Sequence, residues 1–189
     1  MARLFTAFRV PEAVEDWLGR LEIELPGARW IVPDDYHVSL RFFGDVDRHV
    51  ADDLVAGLAT LHQPAFDARV KGLGCFGGDR PRALVAEIET DPGLIALNHA
   101  HERIAQSAGL PAERRKYTPH ITLARLNGTR AETIARFMQS FSLPVLPAFR
   151  VSEFELLSAR PGTGGGPYVA EETFSLARAA NGTSKAPLA

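Results

Sequence analysis

Apolar residues recur along this chain in two rhythms, and the switches between them mark its elements. Leu4 to Val10 alternates and carries two phenylalanines, which predicts a strand. Pro11 stands at the first position of a helix over about Pro11 to Leu25, with Val14, Trp17, Leu18, Leu21 and Leu25 on one face and Pro26-Gly27 as its stop. Arg29 to Val32 reads as a short strand, Pro33-Asp34-Asp35 as a turn, and Tyr36 to Phe43 as a strand closed by Gly44. Val50, Leu54, Leu58 and Leu61 return to helical spacing and predict a helix over about Asp47 to Leu61. Phe66 to Phe76 and Ala83 to Glu89 read as long strands joined by the turn Gly77 to Pro81. Asp91-Pro92, a capping residue followed by proline, opens a third helix that runs to about Ala108. Thr118 to Arg125 alternates again, and a fourth helix follows over about Arg130 to Phe141. Phe149 to Ala159 and Tyr168 to Leu176 close the pattern as a hairpin over the loop 161–167. The residues after Arg178 are small and polar, so 179–189 is expected to be a disordered tail beyond a single domain over 1–178.

Two of these strands carry the same text. His37-Val38-Ser39-Leu40 and His120-Ile121-Thr122-Leu123 each hold a histidine, a β-branched apolar residue, a hydroxyl residue and a leucine, 83 residues apart (120 − 37). Each follows a helix and a turn and precedes a helix. The repetition predicts an internal duplication: an α+β fold of two lobes with mostly antiparallel sheets.

Composition narrows the setting. Apolar residues form 46% of the 189 and charged residues 23%, as in a soluble globular protein, and the net charge of −2 does not fit a generic nucleic-acid coat. Cys75 is the only cysteine, which excludes an internal disulfide and a cysteine-based zinc cluster and suits a reduced compartment. The first residues show neither a signal peptide nor a membrane span, so a cytoplasmic protein without membrane contact is expected, and nothing demands more than a monomer.

Strand alternation turns the repeated text into chemistry. His37 and Ser39 share one face and Val38 and Leu40 the other, and likewise His120 and Thr122 against Ile121 and Leu123. If the two strands lie side by side, two imidazoles and two hydroxyls converge. In-line cleavage of a phosphodiester needs a base for the attacking oxygen and an acid for the leaving oxygen, and two imidazoles near ~6.5 can hold these opposite states at neutral pH. Hydroxyls and a nearby arginine can bind the non-bridging oxygens, and no metal or other cofactor is needed. Arg41 has the histidines' parity and is a candidate phosphate contact.

The remaining histidines read differently. His49 and His62 flank the second helix as solvated end residues, and His99 and His101 lie two apart on the third, pointing to different sides. Arg114, Arg115 and Lys116 read either as a solvated loop or as a phosphate-steering patch at the mouth of a site. The glycine run 162–166 lacks the Gly-Lys-Ser/Thr ending of a phosphate loop and lies between strands, so it reads as a flexible hairpin loop.

With both motifs in hand, the chain resembles the two-histidine phosphoesterase superfamily, and within it the RNA 2′,3′-cyclic phosphodiesterases long called 2′-5′ RNA ligases. The likeness rests on Arg3-Leu4-Phe5, Pro26 to Trp30, His37 to Gly44, Arg80-Pro81-Arg82, Pro119 to Arg125 and Tyr168. It implies a bilobed fold with a pseudo-twofold axis, a central cleft where the histidines meet, and helices outside. It also implies opening of an RNA-terminal 2′,3′-cyclic phosphate, tRNA-derived ends among them, to a 2′-phosphate, together with reversible 2′-5′ ligation at the same site. His37 would be the proton donor and His120 the acceptor, with Ser39 and Thr122 on the phosphoryl oxygens. The family also uses the positions five residues after each histidine, which gives Phe42 as a base-stacking residue and Arg125 as a phosphate contact. Both have the wrong parity in a regular strand and need a twist, bulge or strand end to reach the cleft. Ser39 stands where threonine is common, keeping the hydroxyl without the methyl. Two other readings remain: a phosphodiesterase of a small cyclic nucleotide such as ADP-ribose 1″,2″-cyclic phosphate, and a non-catalytic RNA-end-binding protein.

Overall fold

The computed structural model describes residues 2–141, 146–159 and 168–177 of the chain, so the expectations for the loop 161–167 and the tail 179–189 lie outside the described residues. The strands are β1 (Ala2–Arg9), β2 (Ala28–Trp30), β3 (His37–Val46), β4 (Phe66–Ala68), β5 (Val70–Phe76), β6 (Ala83–Ile88), β7 (His120–Leu126), β8 (Phe149–Val151), β9 (Glu153–Ala159) and β10 (Tyr168–Ser175). Between them lie α1 (Glu12–Gly19), a 3₁₀ turn (Pro33–Asp35), α2 (Arg48–Ala59), α3 (Pro92–Ser107) and α4 (Ala131–Ser140). The fold is α+β, and every pairing between these strands is antiparallel.

Local chemistry sets the helix ends. Asp47 Oδ1 accepts from Val50 N at 3.0 Å and Asp91 Oδ1 from Gly93 N at 2.7 Å, each satisfying a donor that the first turn leaves without a partner. The first helix is shorter than its apolar spacing predicts. It ends at Gly19, where an added Cβ would meet the Pro33 ring at 3.0 Å, and two tight turns come after it. Leu21 and Leu25 reach the core from that irregular segment.

One sheet runs β10-β9-β1-β3-β7-β6-β5, with β2 on the β3 side of β7, and β4 and β8 form a separate two-stranded sheet. The long strands expected over Phe66–Phe76 and Phe149–Ala159 are each broken by one residue, Arg69 and Ser152, where the chain leaves the small sheet for the large one. The offset of 83 that separates His37 from His120 also relates β4 to β8 and β5 to β9 residue for residue. The duplication also shows in the partners. β5, from the first repeat, pairs with β6 of the second, and β9, from the second, pairs with β1 of the first. β4 and β8 pair about Asp67 and Arg150, equivalent positions whose side chains form a 3.3 Å ion pair across the symmetry axis.

The two halves of the large sheet join through a single residue pair between β3 and β7, Val38 with Ile121. Both side chains are fully buried, as are Leu40 and Leu123, in one core with Leu54 and Leu58 of α2 and Leu94 and Leu97 of α3. Burying each such side chain contributes roughly 1.5–3 kcal/mol, and this fixes which face of β3 and β7 is left for the polar residues.

Candidate active site

The seam builds the site. A twofold axis through the Val38–Ile121 pair exchanges the residue before each, His37 for His120, and the residue after each, Ser39 for Thr122. All four are half-buried on the face opposite the core. The side chains that the repeated motif singled out are thus brought to one side of adjacent strands.

Beyond the motif the alternation breaks, twice and identically. Against β1, Thr6 pairs with Arg41 and Ala7 with Ser39, so Leu40 is an extra residue. Against β6, Leu84 pairs with Ala124 and Val85 with Thr122, so Leu123 is extra. Each is a β-bulge that reverses the parity of the residues after it. Both strands read half-buried, buried, half-buried, buried, buried, exposed, buried. Phe42 and Arg125 thereby join the histidine face, which a regular strand would deny them. Arg41 moves the other way, a correction to the parity expected of it. Its guanidinium is 9% exposed and pairs with Glu102 Oε2 at 2.5 Å, and it also donates to the carbonyls of Phe42 and Pro111 at 2.5 and 2.8 Å. Asn98 Nδ2 donates to the Leu40 carbonyl at 2.7 Å, so α3 holds the bulge directly.

Each imidazole is oriented by its own chain. His37 Nδ1 bonds to the Asp35 carbonyl and His120 Nδ1 to the Thr118 carbonyl, both at 2.7 Å. A carbonyl only accepts, so Nδ1 carries the proton and Nε2 is the atom left for chemistry. The 3₁₀ turn expected as a plain Pro-Asp-Asp turn therefore supplies one of these two anchors. Burial pushes the His37 ring down to about 4 against the pull of the Asp35 carbonyl, and the charges of Arg9, His120 and Arg125 push it further the same way. Burial also lowers His120, opposed by its Thr118 bond and aided by Arg125. Both shifts favour the neutral ring.

The surroundings are not symmetric. The ring of His37 is packed by Phe5 at 5.3 Å and edge-on by Tyr168 at 5.0 Å, and His120 by Phe76 at 4.7 Å. Burial raises the Tyr168 hydroxyl, opposed by the charge of Arg125, which faces Arg29 in register on β2. Arg9, opposite His37 in register, donates Nε to Glu155 and Nη1 to the Asp34 carbonyl, both at 2.9 Å, so it ties β9 to the turn that orients His37. On the other side a cleft of about 760 Å³ opens from Ser39 and His120 past Phe42 and Phe76 to Lys116.

Sequence reasoning did not single out Phe76, Arg9 or Glu155, and noted Phe5 and Tyr168 only as parts of a likeness. None has a local signal, because each reaches the histidines through strand pairing. The bulge in β7 did leave a trace, the adjacent apolar pair Leu123-Ala124. Its copy in β3 is hidden because Arg41 occupies the buried position. Among the described residues no three His, Cys, Asp or Glu side chains gather as a metal-binding group. His49 and His62 are at the ends of α2 away from the pair, and His101 is fully buried on α3.

The family model of the 2′-5′ RNA ligase superfamily matches residues 10–163. The RNA 2′,3′-cyclic phosphodiesterase of Aeropyrum pernix is 35% identical over 99 residues, 51% of this chain and 56% of that protein. The protein of the same name from Aquifex aeolicus is 23% identical over 178 residues, 91% of this chain and 94% of its own length. Among solved structures, E. coli LigT complexed with 3′-AMP superposes with a TM-score of 0.73 at 22% identity, covering 94% of this chain and 99% of that one.

Proposed function

The chain belongs to the 2′-5′ RNA ligase superfamily, and on that footing we propose that it hydrolyses the 2′,3′-cyclic phosphate at an RNA terminus to a 2′-phosphate, by acid–base catalysis between two histidines without a metal. One observation carries the reading: His37 and His120 stand one residue before the pair that joins the sheets, each with Nδ1 on a backbone carbonyl and Nε2 left for substrate.

In this mechanism His120 Nε2 takes a proton from water as its oxygen bonds to phosphorus. The bond from phosphorus to the 3′ oxygen breaks, and that oxygen receives a proton from His37 Nε2. Each transfer is worth on the order of 10²–10⁴ in rate. His37 must carry a proton to act as acid, although burial and the neighbouring cations hold it down to about 4. The substrate supplies the remedy: a phosphodiester anion beside Arg125 offsets the cationic field and favours the imidazolium. Ser39 and Thr122 donate to the non-bridging oxygens, each worth on the order of 10²–10³ if the bond tightens in the transition state. Arg125 grips the phosphate from one end, and Phe42 offers its half-exposed ring to the terminal base from the other. Ligation with a 5′-hydroxyl end is the same displacement with that hydroxyl in place of water: His120 takes its proton as its oxygen bonds to phosphorus, and the 3′ oxygen again leaves with a proton from His37.

Phosphorus-31 NMR of a short RNA ending in a 2′,3′-cyclic phosphate, incubated in EDTA with the protein or with His120→Ala, tests this. A 2′-phosphate formed by the wild type and not by the variant is expected. Persistence of the cyclic signal with both would overturn the reading, and turnover only of a small cyclic nucleotide would move it to another substrate.

A further inference from the structure

The site is nearly twofold but the space around it is not. On the His37 flank Phe5 and Tyr168 fill the volume, whereas on the His120 flank the cleft of about 760 Å³ extends well past the reacting atoms. That size lies high in the ~300–1,000 Å³ range of pockets that enclose a whole small molecule. A terminal nucleoside between Phe42 and Phe76 leaves the far end of this space unfilled.

That far end is built rather than left as loose loop. Its wall is the segment 111–118 between α3 and β7, and three contacts pin it to the rest of the fold. Arg41 donates to the Pro111 carbonyl while paired with Glu102, Glu102 Oε1 accepts from Glu113 N at 3.0 Å, and the Tyr117 hydroxyl donates to the Ser39 carbonyl at 3.0 Å. Glu113 in turn accepts from Arg115 N at 3.0 Å. Arg41 pairs with Glu102, and the Arg115 guanidinium pairs with Glu113 at 3.4 Å, so the open charge of this wall is that of Arg114 and Lys116, locally cationic in a protein of net charge −2. Arg115 and Lys116 both line the cleft.

We propose that this end of the cleft is a subsite for the phosphodiester that links the terminal nucleotide to the one before it, with Arg115 and Lys116 as its cationic contacts. The inference rests on the reading of the site as an RNA-end hydrolase and adds the substrate class: a polynucleotide end, at least a dinucleotide long. Cations tracking the backbone beside aromatic rings that stack bases are the usual construction for single-stranded nucleic acid.

The test compares kcat/KM for a dinucleoside ending in a 2′,3′-cyclic phosphate with that for the mononucleoside 2′,3′-cyclic phosphate of the same base, in wild type and Arg115→Gln/Lys116→Gln. In the wild type the dinucleotide is favoured, and in the variant the ratio falls about tenfold, the size of a lost charge-assisted contact. The salt dependence of the dinucleotide reaction weakens too, by a log–log slope of about 0.7 per lost phosphate contact. A ratio unchanged by the double substitution, or a wild type without preference for the dinucleotide, overturns the subsite and leaves the hydrolase reading standing. A wild type that turns over neither substrate overturns both.

Discussion

His101 offers a test of the fold independent of catalysis. It lies on α3 with no exposure, its Nδ1 donates to the Leu97 carbonyl at 2.8 Å, its ring meets Phe154 edge-on at 4.6 Å, and among the described residues Nε2 has no partner. Burial pushes the ring down to about 4, against the pull of the Leu97 bond. The unfolded chain, with a histidine near ~6.5, takes up the proton more readily than the folded one. Stability from the neutral ring is therefore complete above ~6.5 and lost as pH falls towards 4. At ~1.4 kcal/mol per pKa unit the full loss is about 3 kcal/mol, of which ~2.5 is gone by pH 4.5. His101→Phe keeps the ring against Phe154 and cannot titrate. Urea unfolding at pH 7.5 and at pH 4.5 should show the wild-type midpoint falling further than the variant's, by on the order of 1 M for an m-value of about 1–3 kcal/mol/M. His37 and His120 add acid lability of the same sign, but equally to both proteins. Midpoints that fall in parallel would refute the assignment.

Three further outcomes are expected. Because both active-site rings are lowered and one proton must be shared between them, kcat/KM should peak below pH 6.5 and decline as the pair deprotonates, and a plateau persisting above pH 7.5 in stopped-flow assays would contradict this. Glu102→Gln leaves Arg41 without its carboxylate at 9% exposure and loosens the 111–118 segment, so thermal unfolding should report a loss of about 2 kcal/mol, the buried-pair cost discounted for the partly exposed Glu102. Arg125→Lys keeps the charge but not the planar fork that can grip two phosphate oxygens at once, and kcat/KM should fall about tenfold while the melting temperature holds.

Legibility in the sequence depends on which forces act locally. The third helix was legible because Asp91-Pro92 is a self-contained start signal, and the histidine strands because burial of Val38, Leu40, Ile121 and Leu123 imposes alternation on consecutive residues. The breaks at Arg69 and Ser152 were not, since each arises from a strand shared between two sheets and neither residue marks it. The parity of Phe42 and Arg125 depends on an extra residue counted against β1 and β6, a relation that no single strand contains. Arg41 looked free for substrate because its partners, Glu102 and the Pro111 carbonyl, come from distant parts of the chain.

The exchange of strands between the repeats bears on how the molecule assembles. With β5 completing the sheet of the second half and β9 that of the first, neither half closes its sheet from its own chain. A fragment cut between β5 and β6 would keep a whole histidine motif yet leave each of its five strands with an unpaired edge, so separated halves are expected to be insoluble alone and to recover their structure only together. Most sheet pairing then waits on contacts far apart along the chain, which points to slow, all-or-none folding. Either both histidines are in place or neither is.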